Sequence, residues 1–330
     1  MCGIVGFITN ETTVKEKVRG KFLRQALIID TLRGDDSTGA FAAGHEPLYK
    51  DGSTYWYKQL GDGYDFVNAD EYWQNFFDVS AYKAVIGHNR AATMGGVDVS
   101  SAHPFVVGPI TMVHNGTLTS TVSLPDPMSS IRLEDGSKVT VDSHAVAWNL
   151  AHHDPEEVLG RINGAFALVW HDARDDSINI VRNSQRPLHM CRAKDEKTMY
   201  FMSEGQMLAM LMDRISINTS AIIYPKPGQW MKFEADGDLD HPTVKEIDLY
   251  TPPSYSRYGG YGWHDDDDDD YGAAWNTGKH SKAMSGEVIP MGKPQGDNKL
   301  FLGGRKKEVP MRLQEELLRH DLLVEDRVPF

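Results

Sequence analysis

The second residue of the chain is a cysteine. Removal of Met1 leaves Cys2 with both its thiol and a free α-amine. A free thiol is mostly protonated at neutral pH, with a pKa of about 8.5. An α-amine titrates near about 8, so it can take the thiol proton close to working pH. One residue then supplies nucleophile and base, and no histidine partner is needed. Read in isolation, Cys2 is more simply a small residue opening a strand. The same plain reading applies elsewhere. An isolated HNG triplet (114–116) is a turn, Arg90 is a surface arginine, and Arg33 with Asp36 is a structural ion pair. Other chemistries lack a motif. Cys191 has no CxxC spacing, so no zinc or other metal site is expected. No GxxxxGK[ST] or GxGxxG occurs, and no cofactor is expected. His152, His153 and Asp154 read as a solvated helix end. His264 beside an acidic run reads as part of a solvated linker.

These residues need elements to hold them. GIVGFIT (3–9) is an apolar run of strand length. Between 14 and 32, Val18, Phe22, Ala26 and Ile29 recur at helical spacing and predict a helix with one core face. Strands are expected at 84–87 and 110–113, each ending at a His-containing polar cluster, and at 165–170, 177–181 and 198–202. Further strands are expected at 221–224 and 229–233, around the Pro225–Gly228 turn. Helices are expected over 142–152, from Pro155 through 162, and over 206–212, where the methionines read as core. Helices and strands do not alternate strictly, so the fold class is layered α+β rather than doubly wound. Beyond Asp248 the text becomes Pro-, Gly- and Asp-rich, which buries too little apolar surface to offset chain entropy. Residues 251–308 therefore read as a flexible acidic and Gly-rich linker. Residues 309–330 read as a short amphipathic helix, docked on a partner or on its own core.

With 330 residues, 40% of them hydrophobic and 25% charged, the composition is that of a globular protein. The net charge is −13, with six acids in the run Asp265 to Asp270. Nucleic acid is not an expected partner. No apolar stretch reaches the about 18 residues of a membrane span, and no signal segment opens the chain. Two cysteines fit a reducing, cytoplasmic setting.

The polar clusters also form an ordered series. MCGIVGF opens the chain, followed by LRGDDSTG (32–39), GHNRAATMG (87–95), AHPF (102–105), HNGTL (114–118) and VDSHAVA (141–147). In register with Cys2, this series resembles the class II glutamine amidotransferase domain, an N-terminal-nucleophile hydrolase. The pattern is that of the glutaminase domains of glucosamine-6-phosphate synthase and amidophosphoribosyltransferase. GAFALVWHDARDDSINIVRNSQRPL and YFMSEGQMLAML fit the second half, so the resemblance covers about residues 2–235. It implies a four-layer αββα sandwich over residues 2–250. It also implies L-glutamine as substrate and Cys2 as nucleophile, with its own α-amine as base. Asn115 and Gly116 match the oxyanion hole. Arg90 matches the residue that grips the substrate carboxylate, a two-pronged bond lysine cannot reproduce. Asp142 matches the ammonium partner, and Thr93 touches the carboxylate. Arg33 and Asp36 support the site, and His88 and His103 are hydrogen-bonded scaffold.

The series departs from the family pattern at Ala91, Met94, Ser143 and His144, which bears on how the glutamine loop closes. Too little chain follows residue 250 for a synthetase domain. The expectation is therefore a glutaminase subunit that supplies ammonia to a separate synthetase; a homo-oligomer stays open. Two alternatives remain: an N-terminal cysteine hydrolase for another γ-glutamyl or amide substrate, and a catalytically silent binding protein of the same fold.

Overall fold

In a computed structural model, residues 2–10, 16–44, 54–76, 78–80, 82–93, 95–194, 197–234, 237–251, 301–302 and 305–306 are described. The expected helix at 309–330, the Asp run with His264, Met94 and nearly all of the expected linker lie outside them.

The chain opens with strand β1 (Gly3–Thr9) and helix α1 (Glu16–Asp30), then β2 (Ser37–Gly44) and β3 (Thr54–Leu60). Two short helices, α2 (Gly63–Val67) and α3 (Asp70–Asn75), precede β4 (Tyr82–Arg90), β5 (Phe105–Val107) and β6 (Ile110–Ser120). Helices α4 (Asp142–His152) and α5 (Pro155–Arg161) lead to β7 (Asn163–Asp172), β8 (Ser177–Arg182), β9 (His189–Arg192) and β10 (Thr198–Met202). Helix α6 (Gly205–Arg214), β11 (Gln229–Phe233) and β12 (Thr243–Glu246) follow. Within the segment read as linker, β13 (Phe301–Leu302) pairs antiparallel with β14 (Arg305–Lys306).

Two six-stranded sheets carry the fold, ordered β3-β2-β4-β1-β10-β9 and β12-β11-β8-β7-β6-β5. All their pairings are antiparallel. Period-2 alternation assigns each side chain to one of two buried faces. Along β1, Val5 and Phe7 join the cluster containing Phe22, Leu23 and Leu27 of α1, together with Leu208 and Leu211 of α6. Ile4 and Ile8 face the other way, into a layer shared with Ile86, Val113, Ala167 and Val169. On the far side of the second sheet, Met112, Phe166, Leu168 and Trp170 pack on Ala145, Val146 and Leu150 of α4. The result is a four-layer α+β sandwich, helix–sheet–sheet–helix. A strand buried on both faces must be apolar throughout, which is why GIVGFIT reads as a continuous run. Each large apolar side chain so buried contributes about 1.5–3 kcal/mol.

Several expectations need correction. Residues 221–224 form no strand; Ile223 makes an isolated bridge to Met190. The strands expected to stop at histidine clusters run through them, with His88 inside β4 and His114 inside β6. The HNG triplet is therefore strand, not turn. Strands β2, β3, β5, β9 and β12 and helices α2 and α3 were absent from the sequence reading. β2 is rich in Gly and Ala, and β12 is exposed along its length, so neither shows an apolar alternation.

Candidate active site

The alternation that builds the sandwich also assembles the site. Cys2 precedes Gly3 on β1 and shares the parity of Ile4, so its side chain faces the layer between the sheets. β4 runs antiparallel to β1 with Gly3 opposite Asn89. This brings Arg90, on the parity of Ile86, to the same end. Asn115 has the parity of Val113 on β6, and Ser203, just past β10, has that of Phe201. Four polar residues from four strands thus meet at one mouth of an otherwise apolar layer.

The Cys2 thiol donates to the Ala91 carbonyl at 3.4 Å and is 7% exposed. Burial pushes its pKa up, opposed by the Ala91 bond and by the charges of Arg90 and Arg33. Burial thus favours the neutral thiol. Arg33 Nε donates to the Cys2 carbonyl at 2.8 Å, and Arg33 Nη1 pairs with Glu204. Burial raises the Glu204 pKa, and Arg33 opposes it. Arg33 and Asp36 do not pair with each other as the sequence reading had them. Asp36 instead accepts from the Ala92 N–H at 2.7 Å and donates its own N–H to the Arg90 carbonyl at 3.0 Å. One residue fixes the Cys2 backbone; the other fixes the loop after Arg90.

Arg90 is 3% exposed, and its Nη1 donates to the Gly96 carbonyl at 3.0 Å. In the same loop Thr93, exposed, shares a 3.0 Å hydroxyl contact with Thr117 of β6. Asp142 opens α4, where a carboxylate complements the helix dipole. It accepts from the N–H groups of Leu118 and Ser143, both at 2.8 Å. Gly116 is required by close approach: an added Cβ would lie 1.9 Å from the Ala165 carbonyl oxygen and 2.3 Å from His114 Nε2. Asn115 Nδ2 donates to Ser203 Oγ at 3.3 Å.

The histidines divide. His88 Nε2 meets the His114 carbonyl at 3.0 Å, and burial lowers the His88 pKa to about 3. His103 stacks on His88 with ring centroids 3.9 Å apart, but neither of its ring nitrogens is hydrogen-bonded among the described residues. It is scaffold by packing. His114 Nδ1 bonds Ser143 Oγ at 2.9 Å, giving the departure at Ser143 a role inside the site wall. His153 is not simply solvated, since its Nε2 contacts Asp126 at 2.9 Å, and Asp154 caps α5.

The sequence reading missed four residues here. Ser203 binds β1 and Asn115, and Glu204 holds Arg33. Asp30, fully buried, lies against Gly3, where an added Cβ would come within 1.8 Å of its carboxylate. Arg186 is electrostatically coupled to Cys2 and Arg33. A charged residue closing the apolar face of α1 was the available signal for Asp30. Glu204 and Arg186 gave none. Among the described residues, no group of three or more His, Cys, Asp or Glu could hold a metal ion.

The chain is an antiparallel two-sheet sandwich between helix layers, with a cysteine leading an inner strand. Its fold matches that of the glutamine phosphoribosylpyrophosphate amidotransferase from B. subtilis. The TM-score is 0.51 at 18% identity, over 74% of this chain and 49% of that one. Residues 88–210 match the family model described as a glutamine amidotransferase domain. A glutamine–fructose-6-phosphate aminotransferase of Zymomonas mobilis is 27% identical over 72% of this chain and 36% of its own length. The homologue from Bartonella henselae is 29% identical over 48% of this chain and 27% of its own. The chain therefore spans about a third or less of the length of these relatives. Over residues 88–210 in sequence, and in fold, the chain is similar to glutamine amidotransferase domains.

Proposed function

We propose that this protein hydrolyses L-glutamine at Cys2 and supplies the released ammonia to a separate synthetase. One observation supports the reading: the Cys2 thiol lies against Ala91 and near the Arg90 charge, and Ser203 links Asn115 to Ile4 on the strand that follows Cys2. Arg90 and Asp142 bracket the two charges of a free amino acid, so only its side-chain amide reaches Cys2. With Met1 removed, the α-amine takes the thiol proton as sulfur attacks the amide carbon. Charge then develops on the amide oxygen, facing the Asn115 and Gly116 N–H groups. Such donors are each worth about 2.7–4 kcal/mol in the transition state. The C–N bond breaks, and the nitrogen leaves as ammonia carrying the proton from the α-ammonium. Water, deprotonated by the same amine, cleaves the γ-glutamyl thioester and releases glutamate. In this reading Thr93, whose hydroxyl contacts that of Thr117, meets the substrate carboxylate beside Arg90. Arg33 and Asp36 hold the backbone on either side.

The glutaminase unit is residues 2–250, and the segment beyond is the tether to the synthetase. No described helix is long and apolar enough to cross a membrane; with two free cysteines we place the protein in the reducing cytoplasm. Intact mass before and after a diazo-ketone analogue of glutamine tests the chemistry. Loss of one methionine and one adduct on Cys2, with glutamate formed from glutamine, is the expected result. A retained methionine with neither adduct nor turnover refutes it in favour of a silent scaffold.

A further inference from the structure

Ser203 ties the nucleophile's strand to the residue proposed to bind the oxyanion. It is fully buried at the end of β10. Its N–H donates to the Ile4 carbonyl at 2.8 Å, and the Ile4 N–H donates to its Oγ at 2.9 Å. Ile4 lies two residues along β1 from Cys2. The same Oγ accepts from Asn115 Nδ2 at 3.3 Å. Asn115 is 1% exposed, and its Oδ1 is buried with no partner among the described residues.

This arrangement leaves two needs unmet side by side. A serine hydroxyl carries one hydrogen and accepts at two sites. Here both sites are filled and the hydrogen has no acceptor among the described residues. An amide oxygen without a donor in a buried setting is costly. A half-turn of the Asn115 amide about its last torsion meets both needs together. Oδ1 then accepts from the Ser203 O–H, while Ser203 still accepts from Ile4. Both Nδ2 hydrogens are released from Ser203.

We propose that Ser203 is a positioning residue: its hydroxyl donates to Asn115 Oδ1, holding the amide N–H groups toward the oxygen of the acylating substrate. This rests on the glutaminase reading. The linkage explains why a serine stands where an apolar strand meets a helix. Through Ile4 it references the oxyanion donor to the strand that carries Cys2. A small displacement of either would weaken stabilisation of the transition state but not glutamine binding, which falls to Arg90 and Asp142.

The test compares the full-length wild type with Ser203→Ala and Ser203→Thr in glutamine hydrolysis. Ser203→Ala should lower kcat by about tenfold to a hundredfold and leave KM within about twofold. Ser203→Thr, which keeps the hydroxyl, should recover most of the rate. A Ser203→Ala kcat within about twofold of wild type, or a loss expressed wholly in KM, would overturn the proposal. So would a folded Ser203→Thr as slow as Ser203→Ala. Should the variants not fold, wild type labelled with 15N-asparagine decides by NMR. Alkylating Cys2 with the diazo-ketone should shift both Asn115 side-chain amide protons. One proton left unmoved places Nδ2 on Ser203 and overturns the proposal. A wild type that neither turns over glutamine nor takes the label sinks the glutaminase reading itself. An active, labelled wild type beside an indifferent Ser203→Ala sinks the Ser203 role alone.

Discussion

Replacing Asp30 by asparagine should flatten the pH dependence of stability. Asp30 is the last residue of α1 and is fully buried, with both carboxylate oxygens unbonded among the described residues. Burial raises its pKa from 3.8 to about 7; Glu204 adds to the rise, while Arg33 and the N-terminal ammonium oppose it. The unfolded chain titrates near about 3.9. Between these values the native state binds the proton and the unfolded state does not, so stability falls as pH rises. The contribution is fully present below about pH 4 and lost by about pH 7. From pH 5 to pH 8 the wild type crosses about two units of this window, worth about 3 kcal/mol at 1.36 per unit. Asp30→Asn keeps the shape and removes the titration. Other groups act in both proteins and cancel. Urea denaturation at pH 5 and pH 8 should show the wild type losing about 3 kcal/mol more than the variant. Parallel profiles would show that Asp30 is ionised in the fold, refuting the argument that burial outweighs Arg33.

Other outcomes follow from the same geometry. Gly3→Ala places a Cβ 1.8 Å from Asp30 Oδ2. It should cost about 1–3 kcal/mol by thermal unfolding, with part regained when Asp30 is also changed to alanine. Arg33→Met leaves Glu204 and the Cys2 carbonyl without their partner and should destabilise by about 3–5 kcal/mol in urea titration. Gly116→Ala drives a Cβ to 1.9 Å from the Ala165 carbonyl oxygen. It should lower kcat about a hundredfold in a glutamate-release assay. Cys2→Ala should abolish the diazo-ketone adduct while changing stability by less than about 1.5 kcal/mol, read by mass spectrometry and thermal unfolding.

Much of the fold was legible where local pattern and tertiary burial agree. β1, β10, β11 and α4 occupy the ranges their apolar runs and periodicity predict. α5 begins at Pro155 behind the Asp154 cap, as helix-start chemistry requires. Elsewhere the pattern misled. Histidine and asparagine inside a strand look like its end, because polar residues usually mark turns. His88, His114 and Asn115 stay in strand because the facing sheet and α4 supply partners that local sequence does not show. β3 is half-exposed, so its apolar alternation is weak and its pairing with β2 decides it.

By itself the sequence determined the order of the motifs and the reactive and charged residues they carry, Cys2, Arg90 and Asp142 among them. These are properties of residue type and spacing. Tertiary structure alone decided the partners. Arg33 went to Glu204, 171 residues away, and not to Asp36. Ser203 met Ile4 across 199 residues, and Asp30 filled the space left by Gly3. Antiparallel pairing fixes such contacts between distant segments, and strand parity then selects which side chains share the buried layer. Neither quantity exists until the sheets form.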